Sequence, residues 1–258
     1  MRPAEYDTLR ALEDRHWWYA VLRNLVSMTL PSRLPPLARV LDAGCGTGGM
    51  LRFLTNEIPL LEASGIDVSE IAVRHCHDRG LPMVSMGSVN ALPFADGEFD
   101  AVLSLDVLYH EAVDEEQALR EMRRVLRPGG LLVLNLPAFE ALRGSHDAAV
   151  GGVRRYRMCH VQRLLKVHSF DAVITHHWNA WLFLPLLARR QWSRWQSEEA
   201  RAAVASDLHL PSPAWNRLLT VAGRIDALLC RLLRLPFGSS IYVVARRTAT
   251  PLPDHGAR

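Results

Sequence analysis

Asp42, Gly44, Gly46 and Gly48 stand at alternate positions directly after the apolar pair Val40-Leu41, and residues of these types in this order can cradle a nucleotide-type ligand. Each glycine removes a Cβ from a turn that must bend sharply and come close to a ligand. The helix that follows directs unpaired N–H groups at the same place. The spacing Asp-x-Gly-x-Gly-x-Gly is not the Gly-x-Gly-x-x-Gly of dinucleotide enzymes, and it lacks the Gly-Lys-Ser/Thr ending of a phosphate-binding P-loop. About twenty residues on, Asp67 closes the segment Ala63-Ser64-Gly65-Ile66, where a carboxylate can accept both hydroxyls of a ribose.

Acid–base chemistry has candidates further along. His110 follows the fourth predicted strand, and an imidazole titrates near neutral pH, so it can serve as a base or else hydrogen-bond the loop and shape a pocket. In Ser145-His146-Asp147 a neighbouring His and Asp could form an oriented base or simply fix the loop. Arg154-Arg155-Tyr156 lies close behind, with Tyr156 a third candidate catalytic group. Arg154 and Arg155 could clamp a phosphate or carboxylate, or form structural ion pairs. No metal site is expected, because neither His75-Cys76-His77 nor His176-His177 puts two ligands at i,i+4 on one helical face.

The ordered series of glycine loop, Asp67, Leu92-Pro93-Phe94, Phe99-Asp100-Ala101-Val102 and Arg124-Val125-Leu126-Arg127-Pro128-Gly129-Gly130 resembles the class I S-adenosylmethionine (SAM) dependent methyltransferases of the type 11 sort. The resemblance covers about Arg39 to Pro137. It implies a Rossmann-like α/β fold, a seven-stranded, mostly parallel sheet with an antiparallel last strand, and SAM as cofactor with S-adenosylhomocysteine as product. It places Asp42, Gly44, Cys45, Gly46 and Gly48 around the methionine part, Asp67 on the ribose, Val68, Ser88 and Val89 at the adenine, and Leu105 with Asp106 at the methionine end. Ser88 stands where many relatives carry an aspartate, and a hydroxyl can still make one hydrogen bond there. His16-Trp17-Trp18-Tyr19 resembles an N-terminal motif that closes over the cofactor, which puts Tyr19 among the cofactor-binding residues; core packing is the alternative.

The elements that must position these residues alternate from strand to helix through Leu136, the pattern of a parallel sheet with right-handed crossovers. The first thirty residues read as one or two helices, with Asp7 or Thr8 as cap and Leu9, Leu12, Leu22 and Leu25 at helical spacing. The expected organisation is an N-terminal helical lid (1–36), a SAM-binding core (37–177), an inserted helical cap (178–237), the final strand (238–247) and a disordered tail (248–258). Within the insertion, Ser212-Pro213 makes a cap and first turn, and Trp215, Leu218, Ala222, Ile225, Leu229 and Leu232 form one apolar face.

Composition sets looser bounds. The chain has 258 residues, 49% of them hydrophobic, enough for one sizeable core. Four scattered cysteines without a Cys-x-x-Cys pair fit a reducing cytosol. No secretory signal is expected, and the apolar stretch Ala180–Ala188 is far short of the roughly 20 residues that cross a bilayer. From Trp178 onward there are 11 Arg against 5 Asp and Glu, while residues 1–177 carry 19 basic against 22 acidic side chains. Nucleic acid is not expected as a partner, because no basic run or basic-aromatic stripe is present. Trp178, Trp181, Phe183, Trp192 and Trp195, interleaved with arginines, make 178–196 a candidate peripheral membrane helix; packing on the core or a homodimer contact are alternatives.

The expected activity is cytoplasmic methyl transfer from SAM to a small-molecule acceptor, with O-methylation of an apolar or lipid- or glycan-linked metabolite first. C- or N-methylation would use the same scaffold. The rivals are a non-catalytic SAM-binding partner subunit and, against the glycine spacing, an NAD-dependent oxidoreductase.

Overall fold

The computed structural model describes residues 3–58, 61–194 and 210–249. Among them, seven strands form one sheet: β1 (Ala38–Ala43), β2 (Leu61–Asp67), β3 (Val84–Met86), β4 (Phe99–Leu105), β5 (Leu126–Pro137), β6 (Phe170–Trp178) and β7 (Ser240–Arg247). Their order is β3-β2-β1-β4-β5-β7-β6. β1 to β5 run parallel, and β7 lies antiparallel between β5 and β6 rather than at the edge. The chain order reverses between β1 and β4, and ligands on such sheets bind at that reversal, beyond the strands' carboxyl ends.

Alternation along the strands builds two cores. Leu41, Val102, Leu132, Leu134 and Val243 face one side, with Leu119 and Met122 of α5 (Glu115–Val125) packed on them. Val40, Leu103, Leu131, Val133 and Val244 face the other, under α2 (Trp17–Thr29). Successive strand residues point to opposite faces, so the stretches covered on both sides, Val40-Leu41, Ala101-Val102-Leu103 and Leu131–Leu134, are apolar without a break. The expected Leu131–Leu136 strand begins earlier, at Leu126; Arg127–Gly130 is looped out between the pairs Phe99–Leu126 and Ala101–Leu131.

The N-terminus forms α1 (Pro3–Leu12) and α2. Asp7 and Thr8 lie inside α1, so neither caps it; the cap seen here belongs to α2, where the His16 ring accepts from the Trp18 N–H at 3.2 Å. The remaining helices are α3 (Gly49–Glu57), α4 (Glu70–Asp78), α6 (Ser145–Ala149), α7 (Met158–Val167), α8 (Ala180–Arg194) and α9 (Pro213–Leu233). α8 and α9 fall between β6 and β7, as the insertion requires, and no described helix is long and apolar enough to cross a membrane. Residues 250–258 of the expected tail, and Trp195, lie outside the described residues.

The apolar face of α9 read from the sequence is not the side that packs inward. Its buried side is Gly223, Ala227 and Cys230, set against α2 and β6, while Trp215, Leu218, Ile225, Leu229 and Leu232 are exposed. Small residues allow the close approach: a Cβ on Gly223 would meet Val21 Cγ2 at 2.7 Å. Trp178 likewise belongs to β6, fully buried, and not to the helix after it.

Candidate active site

The loop between β1 and α3 turns at Gly44, whose φ of +87° is open to glycine and strained for other residues. A side chain there would also strike Val107 Cγ2 at 2.5 Å. The turn brings Gly46 N–H to Asp67 Oδ2 at 3.0 Å, while Asp67 Oδ1 accepts from Ser69 N–H at 2.9 Å. Two backbone donors therefore fix the β2 carboxylate beside the loop. Cys45 is buried, and its Sγ would lie 3.0 Å from a Cβ on Gly65, so a small residue is required there.

These residues line one cavity of about 470 Å³, within the roughly 300–1,000 Å³ of small-molecule sites. Asp42, Gly44, Cys45, Gly46, Asp67, Val68, Ser88, Val89, Leu105 and Asp106 contribute at the carboxyl ends of the strands. Gly48 is not among its lining residues; it is the left-handed residue that enters α3. Val68 is largely exposed and Val89 buried.

The N-terminal helices form another wall through Tyr6, Leu9, Glu13, Trp18 and Tyr19. Glu13 is the fastener. Its carboxylate accepts from the Thr47 hydroxyl, from Gly49 N–H at 3.1 Å and from Arg79 Nη2 at 2.5 Å, while Arg79 Nη1 reaches Asp14 at 2.8 Å. A carboxylate at the first turn of α3 satisfies orphan N–H groups and complements the helix dipole. The two adjacent tryptophans divide: Trp17 packs in the core and meets Trp181 at 5.9 Å, and Trp18 tilts against Trp178 at 5.3 Å.

Six carboxyl groups line the cavity, and burial raises the pKa of four of them, Glu13, Asp42, Asp67 and Asp106. Asp42 is pushed up to about 7, by burial first and then by the neighbouring Glu13 and Asp67 carboxylates. Asp106 is also pushed up to about 7 by burial, with the Asn135 amide and Arg155 opposing. Arg79 balances Glu13, which leaves an acid-rich site suited to a cation. SAM carries positive charge on its sulfonium and its ammonium, so the residues present fit that cofactor. Tyr19 has its phenol raised by burial and by Glu13 and Asp106.

On the far side, His110 lines the cavity and stacks on Tyr109 at 4.5 Å. Burial lowers its pKa against the opposing pull of the Asp106 and Val150 backbone oxygens. Asp147 takes Arg155 bidentately at 2.8 and 3.1 Å, so the Asp147–Arg155 pair is an ion pair in the cavity wall. His146 lies in α6 and its side chain is outside the described residues. Tyr156 is fully buried and donates to Glu115 at 2.6 Å, Arg154 donates to the Val113 carbonyl at 3.2 Å, and neither is among the cavity-lining residues.

One face of α8 lines the cavity with Leu182, Leu186 and Arg190, continuing from Asn179 just after β6. Asn179 is fully buried at φ +57°, and neither side-chain amide atom has a hydrogen-bond partner among the described residues. Sequence reasoning missed Glu13, Tyr6 and Asn179. Glu13, three residues before the His16-Trp17-Trp18-Tyr19 motif, had a signal in its position; Asn179 had none.

Residues 41–134 match the family described as a methyltransferase domain. A malonyl-[acyl-carrier protein] O-methyltransferase of Geobacter sulfurreducens is 30% identical over 159 residues, 59% of this chain and 57% of that protein. A 2-methyl-6-phytyl-1,4-hydroquinone methyltransferase of Synechocystis is 36% identical over 105 residues, 39% of this chain and 32% of that protein. Among solved structures, a SAM-dependent methyltransferase of Thermotoga maritima shares the fold at a TM-score of 0.58 and 16% identity, over 95% of this chain and 96% of that one. The alignments span 32%, 23% and 57% of the first three curated relatives, less than two thirds of each.

Proposed function

The chain carries a methyltransferase domain of the class I SAM-dependent family, and on that premise we propose that it methylates an oxygen of an apolar or lipid-linked small molecule. One observation carries this reading. The cavity is continuous from the glycine loop and Asp67, past His110, to the apolar α8 face of Leu182 and Leu186.

When bound, SAM supplies an electrophilic methyl on a sulfonium, displaced in line. The chain's part is to place the acceptor opposite the sulfur and keep water out, and positioning alone can contribute roughly 7–11 kcal/mol. Asp67 and the loop hold one end of the cleft, and α1 and α2, fastened by Glu13, cover it. Leu182 and Leu186 give the acceptor's apolar body a wall, and the Asn179 amide offers a donor and an acceptor to its polar group. With its pKa lowered, His110 is a neutral imidazole at pH 7, able to take the proton from a hydroxyl, an effect worth about 100- to 10,000-fold. The O-methyltransferase and the hydroquinone methyltransferase among the relatives support an oxygen nucleophile and an apolar acceptor, respectively.

The test is transfer of labelled methyl from SAM to a panel of hydroxyl- and carboxyl-bearing amphiphiles, with the product's methylated atom read by NMR. A methyl ether or ester supports the proposal. Methylation at nitrogen or carbon, or SAM binding without turnover on any acceptor, overturns it.

A further inference from the structure

The outer face of α9 is the largest run of exposed apolar side chains on one described helix. Leu218, Val221, Ile225, Leu229 and Leu232 recur at intervals of three and four residues, which puts them on a single stripe, and Leu232 exposes 68% of its surface. A surface helix ordinarily turns such a stripe inward. Here the inward face is already taken by Gly223, Ala227 and Cys230, so the bulky residues face outward. Exposed apolar patches rimmed by polar groups mark interaction surfaces.

The charges beside the stripe indicate what covers it. Arg217, Arg224 and Arg231 repeat every seven residues, nearly two full turns, and so form a row along one edge of the stripe. Asp226 is the helix's one acidic residue, and it is committed to the first turn of α8, accepting from Ala180 N–H at 3.2 Å and Trp181 N–H at 3.1 Å. A second copy of the chain would bring the same arginine row and no free carboxylate on this helix to meet it. A surface with an apolar interior and anionic phosphates at its boundary satisfies both features together.

We propose that α9 lies in the plane of an anionic lipid bilayer, with its Leu/Ile/Val stripe in the acyl boundary and the Arg217-Arg224-Arg231 row on the phosphates. At 21 residues the helix is long enough to cross a bilayer, but with Arg217, Arg224, Asp226 and Arg231 it is not apolar enough to do so, and it lies along the surface. α8, whose outer side exposes Trp181 and Leu184, begins beside the middle of α9, and its inner side is the cavity wall of Leu182 and Leu186. This docking is independent of methyl transfer.

The test is flotation of the full chain with phosphatidylglycerol/phosphatidylcholine vesicles and with pure phosphatidylcholine vesicles, at low and raised salt. The expected result is co-flotation with the anionic vesicles alone, reduced by salt, and lost in Ile225→Glu/Leu229→Glu. In Arg217→Gln/Arg224→Gln each lost arginine weakens binding about fivefold. SAM binding, measured in parallel, shows whether each variant is folded; should the glutamate variant fail that check, the arginine variant and the salt series decide. Absence from both vesicle fractions, equal binding to neutral and anionic vesicles, or a solution dimer that Ile225→Glu/Leu229→Glu splits would overturn the proposal.

Discussion

The side-chain amide of Asn135 donates to the Asp106 carboxylate at 2.7 Å while its oxygen accepts the Trp178 indole N–H at 2.9 Å. A residue near the carboxyl end of β5 thus ties the acid after β4 to the aromatic that ends β6. Asn135→Leu keeps the size but leaves a buried indole N–H and a buried carboxylate without that partner. Thermal or denaturant unfolding should show a loss of about 1–3 kcal/mol, with a further rise in the Asp106 pKa. Unchanged stability would mean the bridge is replaced locally.

Glu13→Gln and Arg79→Ala test the fastening of the N-terminal helices. The Arg79 side chain is 1% exposed and Glu13 5%, so breaking the pair by removing one partner should cost roughly 3–5 kcal/mol. SAM affinity should fall with it, and faster proteolysis within residues 3–30 should accompany both. A variant that unfolds at the wild-type midpoint and binds SAM normally would show that α1 and α2 are not held this way.

Proton release should accompany cofactor binding. Asp42 and Asp106 are pushed up to about 7 in the free chain, and a bound cation favours their ionised forms. Affinity for SAM should therefore rise from pH 6 to pH 8 and level off above, by up to about tenfold per pH unit for each coupled carboxyl below its pKa. The free chain should behave oppositely. Its folded carboxyl values lie above the ordinary 3.8, so it holds more protons than the unfolded chain between about pH 4 and 7, and its stability falls as pH rises through that window. Calorimetry in buffers of different ionisation enthalpy measures the released protons; no buffer dependence at pH 7 would contradict this.

His110 should give the methyl-transfer rate an acid limb. Its pKa is lowered from 6.5, so activity should hold down to below that pH and then decline as the imidazole protonates. His110→Ala should reduce turnover by about 100-fold or more, flatten the limb and leave SAM affinity within a fewfold. Loss of SAM binding instead would assign the ring to pocket shape.

What could be read from the sequence was local. The loop from Asp42 to Gly48, the acid at Asp67 and the strand Ser240–Arg247 each announce themselves within ten residues, because turn chemistry and apolar runs are short-range properties. The outward direction of α9 was not legible: its two faces are both apolar, and which one packs is decided by the fit of Gly223 on Val21, two hundred residues away in the chain. Glu13 meets Thr47, Gly49 and Arg79 only when the N-terminal helices fold onto the glycine loop, and Asn179 reaches the cavity only from just after β6. Tyr156 read as a candidate from its neighbours Arg154 and Arg155, yet alternation along the segment turns it to Glu115.

Calorimetric titration of SAM into the wild-type chain and Asp67→Ala bears most directly on the whole account. Charge-assisted hydrogen bonds contribute about 1.5–3 kcal/mol each, and Asp67 is positioned to offer two to a ribose. The predicted result is one SAM per wild-type chain and affinity weaker by about a hundredfold or more in the variant. No binding to the wild type, or equal binding to both, would contradict it.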